Sequence, residues 1–79
     1  MSRMLPYRVE IYSPTNDRDL IVSFESQNPF MTISVGDTLR PSGWGKEAPK
    51  TMLRVKRVEH LLYGDDDPHH VLIVYTEAV

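Results

Sequence analysis

Apolar positions recur along this chain with a period of two, and no window of eleven or more residues carries an apolar face at helical spacing free of interior Pro or Gly. Tyr7, Val9 and Ile11 alternate with Arg8, Glu10 and Tyr12, the pattern of a strand with one covered face. Ser13-Pro14 closes that strand, and the polar run Ser13 to Asp19 reads as the first hairpin loop. Leu20, Val22 and Phe24 then alternate with Ile21, Ser23 and Glu25, which predicts a second strand pointing the first set inward. Gln27-Asn28-Pro29 ends it, because proline and the residue before it resist continuation. Ile33 and Val35 share a parity ahead of a Gly36-Asp37 turn, and Thr38 to Arg40 predicts a short third strand stopped by Pro41. Residues 41–50 hold two Gly and two Pro, so they form the longest predicted loop, and it carries the only Trp, Trp44.

The strongest strand signals are a Thr51 to Tyr63 run and a His70 to Thr76 run on either side of Gly64-Asp65-Asp66-Asp67-Pro68-His69, a β-hairpin pattern. Leu53 and Val55 point inward on the odd parity, whereas Val58, His60 and Leu62 do so on the even one. A β-bulge at Lys56-Arg57 repairs that switch by inserting one extra residue, and it bends the strand as a small barrel requires. Val71-Leu72-Ile73-Val74-Tyr75 shows no alternation, as expected of a strand covered on both faces. The second cover comes either from the rest of the chain or from a second copy, so a homodimer through Val71 to Tyr75 is one expectation. Pairing the hairpin symmetrically about Asp66 sets His60 opposite Leu72 and His70 opposite Leu62, making the two histidines diagonal neighbours.

Five strands without a helix predict an all-β fold over residues 1–79, a small five-stranded antiparallel barrel or open sandwich. The stretch Ile33-Ser34-Val35-Gly36-Asp37-Thr38-Leu39, followed after a loop by Leu53-Arg54-Val55-Lys56-Arg57-Val58, resembles the texture of Src-homology-3-like and KOW-type barrels. The resemblance implies a fold and carries no functional residue with it.

A chain of 79 residues builds one domain with a modest core, and it supplies a binding surface more readily than a walled catalytic pocket. There is no cysteine, which favours a reducing compartment, because small secreted domains usually reinforce a thin core with disulfides. The first residues lack the apolar segment of a signal peptide, and no stretch approaches the roughly 20 apolar residues of a membrane span. These features predict a cytoplasmic protein with no membrane partner.

Charge is segregated along the chain. Residues 40–57 carry six basic groups (Arg40, Lys46, Lys50, Arg54, Lys56 and Arg57) against Glu47, and from Val58 onward there are five acids and no Lys or Arg. Opposed charges across paired strands are ordinary sheet chemistry, and a basic contact face is the functional alternative. Trp44 among those basic residues has the composition of a single-strand nucleic-acid platform, although a loop Trp more often folds back to cap a barrel. Asp65, Asp66, Asp67, His69 and His70 offer metal-ligand chemistry without diagnostic spacing, and a solvated hairpin tip is the simpler reading. His60, on the inward parity, reads as a buried histidine with one hydrogen-bond partner. No nucleophile elbow, reactive cysteine or phosphate-cradling loop is present, so no enzyme and no cofactor are expected. The sequence therefore predicts a non-enzymatic interaction module for protein. Its contact surface would comprise Phe30, Met31, Arg40, Trp44, Lys46, Lys50, Arg54, Lys56 and Arg57. Nucleic-acid binding by the same residues ranks second, and a metal-dependent role at His60, His69, His70 and Asp67 ranks last.

Overall fold

The computed structural model describes residues 5–30, 32–45, 48–64 and 69–79. Met31, Lys46 and the hairpin tip 65–68, including Asp67, lie outside the described residues. The fold is all-β, with β1 (Tyr7–Ser13), β2 (Asn16–Ser26), β3 (Thr38–Leu39), β4 (Leu53–Tyr63) and β5 (His69–Ala78), and no helix among the described residues. The five strands make one sheet in the order β2-β1-β5-β4-β3, curled into a half-barrel. No helix among the described residues is long and apolar enough to cross a membrane.

The parity switch in β4 is a bulge. Val55 lies opposite Thr76 and Arg57 opposite Tyr75, so Lys56 is the extra residue. The β4–β5 register also matches the expected hairpin, with His60 facing Leu72 and Leu62 facing His70. The Gly36-Asp37 turn docks on this strand. Gly36 N–H donates to the Val55 carbonyl at 2.9 Å, and Val55 N–H donates to the Asp37 carbonyl at 2.8 Å. Gly36 has φ +96°, which the third position of the Ser34–Asp37 turn requires and a side chain would oppose.

Four details differ from the sequence reading. The first loop is only Pro14-Thr15, because Ser13 pairs with Asn16 and residues 16–19 belong to β2. The Ser13 hydroxyl supports that turn by accepting the Thr15 N–H at 3.2 Å. A register shift between Ile11 and Tyr12 sets Ile21 rather than Leu20 against the core, and Leu20 is left exposed. One pairing, β1 with β5, is parallel, with Val9 beside Leu72 and Ile11 beside Val74. Strand β3 is also one residue shorter than expected, ending at Leu39.

The core lies on the inner face. Val9, Ile11, Val55, Leu72 and Val74 form its buried cluster, and Phe30, Ile33, Leu39 and Trp44 fold over it from the loops. The uninterrupted apolar run of β5 follows from its position: it is the central strand, with both edges paired and Val71 to Val74 all buried. On the outer face Ile73 stands between Glu10 and Glu59, and long side chains supply the cover. Tyr12 stacks on Tyr75 at 5.6 Å, and the Arg57 guanidinium sits 4.2 Å above the Tyr75 ring. Glu10 ties this layer together by accepting from Arg8 and from the Tyr12 hydroxyl, each at 2.8 Å. Val71 to Val74 are therefore buried within one chain, and both edges of β5 are paired.

Candidate functional site

The described basic residues singled out in the sequence lie at different parts of the sheet, each of three beside an acid. Arg40, Lys50 and Arg54 are exposed near the β3 end of the sheet, where Arg54 faces Glu77 across the strand pair. Lys56 turns to Asp17 at 3.0 Å, joining the bulge to the start of β2, and Arg57 lies 3.4 Å from Glu59. Both ions of each pair are substantially exposed, so these contacts contribute little stability, but they place an acid beside each base. Trp44 is half-buried and meets the Phe24 ring edge-on at 6.2 Å. Together with half-buried Phe30 it caps the core, so neither ring stands free as a stacking platform.

The opposite end of the half-barrel is differently built. The loops that cover the core leave the inner face of the β4–β5 pair open beyond Val58. Inward parity therefore does not mean burial there: His60 is exposed, not buried, and Leu62 is 76% exposed. Leu61 and Tyr63 beside it are 40% and 43% exposed. By strand alternation Leu62 lies on the inner face with His60, whereas Leu61 and Tyr63 lie on the outer face, and all three stand in solvent.

Beside Leu62 the chain forms an open recess of about 230 Å³ lined by Pro6, Tyr7, Leu62, Tyr63, His69 and His70. Tyr63 and His69, directly opposed in register, stack at 4.0 Å and form one wall. His70 is held from two sides: its backbone N–H donates to the Pro6 carbonyl at 2.9 Å, and its ring meets Tyr7 edge-on at 6.5 Å. Across the strand pair, His60 Nδ1 and His70 Nε2 are hydrogen-bonded at 2.9 Å, with the rings nearly parallel. One ring donates and the other accepts. A second, smaller recess of about 50 Å³ continues past His70 to Pro29, Phe30 and Leu72.

Sequence parity locates the two histidines as neighbours, but it assigns Leu62 to the core and so gives no sign that this side chain stands in solvent. The signal that could have found it is chain length: the loops of so short a chain cannot cover an eleven-residue strand along its full extent. Of the candidate ligands, the described residues bring His60 and His70 together, and no group of three or more His, Cys, Asp or Glu among them is placed to hold a metal ion. On the outer face the Tyr12 phenol is pushed up to about 12 by partial desolvation and by its hydrogen bond to the Glu10 carboxylate. No protein family, curated protein or solved structure matches this chain.

Proposed function

We propose that this chain is a non-enzymatic, cytoplasmic interaction module that takes an extended segment of another protein on the open end of its half-barrel. The observation that carries the reading is the recess walled by exposed Leu62 and Tyr63. At about 230 Å³ that recess is smaller than the roughly 300–1,000 Å³ of small-molecule pockets, and it suits one large apolar side chain of a partner. Its walls are Pro, Tyr, His and Leu, a composition close to that of interface cores, where aromatic anchors concentrate binding energy. The absence of cysteine supports the compartment, and the small curled sheet supports a use like that of Src-homology-3-like modules.

The test is selection of a random-peptide display library on the immobilised chain. Enriched peptides should share an aromatic or branched aliphatic residue and should lose at least tenfold in affinity for Leu62→Glu, an exposed substitution that leaves the core untouched. Failure to enrich any sequence, or equal binding to Leu62→Glu, would reject this surface.

A further inference from the structure

We infer that His60 and His70 form a bidentate site for a divalent transition metal ion, with copper(II) preferred. The inference does not rest on the peptide-binding reading. The two side chains project from adjacent strands on the same face, and the facing nitrogens, His60 Nδ1 and His70 Nε2, are 2.9 Å apart. Imidazole nitrogens about 2.0–2.1 Å from a metal stand about 2.9 Å apart when they subtend a right angle, and about 3.4 Å at the tetrahedral angle. The observed separation is that of the hydrogen bond between the rings, and it leaves both nitrogens within reach of adjacent corners of one ion's coordination sphere. Copper leads the general order of affinity for nitrogen ligands, and that order is the ground for its preference here.

The pair is held in place from outside. The His70 backbone is fixed to Pro6 and its ring abuts Tyr7, an arrangement that limits ring orientation before any ion arrives. His60 is exposed, so the other corners of the ion face solvent and can be filled by water. Binding replaces the proton shared between the rings. The donor ring moves its proton to its remote nitrogen, both facing lone pairs turn toward the ion, and two metal-bound waters leave. Among the described residues no carboxylate or third imidazole joins the pair, and two imidazole ligands by themselves give a modest affinity.

The experiment is titration of the full chain with copper(II) chloride and, separately, with zinc(II) chloride, followed by calorimetry and by electron paramagnetic resonance for copper. One copper per chain should bind at micromolar affinity, with a tetragonal two-nitrogen spectrum and at least tenfold preference over zinc. His60→Ala and His70→Ala should each weaken copper binding at least tenfold. Equal copper binding by both variants, or zinc binding as tight as copper, would overturn the inference. Should either variant unfold, paramagnetic broadening of the wild-type NMR spectrum decides: broadening centred on His60 and His70 supports the site, and broadening centred elsewhere refutes it.

Discussion

The bulge in β4 makes two single-residue deletions, three positions apart, differ sharply in consequence. Removing Lys56 takes out the residue that has no partner in β5. Val55 stays opposite Thr76, Arg57 stays opposite Tyr75, and no side chain changes face. The losses are some of the strand's bend and the exposed pair with Asp17 at 3.0 Å, worth about 0.2–1 kcal/mol. Removing Glu59 instead draws the preceding residues forward until the bulge is used up. Val58 then leaves its place opposite Val74 for the outer face, and Arg57 takes its place over the core. Exposing a half-buried valine costs about 1–2 kcal/mol, and an unpaired guanidinium on the core costs about 3–5 kcal/mol more. That sum is comparable to the total stability of a domain this size, roughly 0.05–0.15 kcal/mol per residue. At roughly 4–8 °C per kcal/mol, deletion of Lys56 should lower Tm by less than about 10 °C. Deletion of Glu59 should lower it by more than about 20 °C or abolish the cooperative transition. Thermal unfolding followed by circular dichroism in the β-sheet band measures both. Melting temperatures within about 5 °C of each other would refute the parity argument.

Three further outcomes are expected. Thr76 is fully buried and its hydroxyl donates to the Tyr12 carbonyl at 2.7 Å, so Thr76→Val should cost about 1–3 kcal/mol in denaturant unfolding, and Thr76→Ser, which keeps the donor, distinctly less. The raised Tyr12 value means the fold favours the neutral phenol, so this contribution is fully present below the ordinary tyrosine value of 10.0 and is lost as pH rises through about 12. Ultraviolet titration should show the Tyr12 phenol ionising late and shifted down in Glu10→Gln, and an unshifted titration in that variant would contradict the assigned cause. Because Val71 to Val74 are covered within one chain, Tm should not change between low and high micromolar concentration, whereas a rise with concentration would restore association as a source of stability.

What the residues determined by themselves was local: strand positions, the bulge at Lys56 and the pairing of His60 and His70 as diagonal neighbours. Those follow from the period-two alternation of a pleated strand and from the short hairpin connection, neither of which needs knowledge of distant parts of the chain. Tertiary structure decided the rest. Polar composition makes Ser13 to Asp19 look like a loop, yet Asn16 pairs with Ser13 and β2 begins there, with residues 17–19 passing through a register shift. The parallel union of β1 with β5 joins segments almost a chain length apart, and it made β5 a central strand whose two covers both come from within. Which inward positions are buried was likewise set by where the covering loops end: Trp44 folds onto Phe24 and the core, while Leu62 and His60, on the same parity as buried residues, are left in solvent. Parity assigns a face, but only the arrangement of the whole chain determines whether anything lies against it.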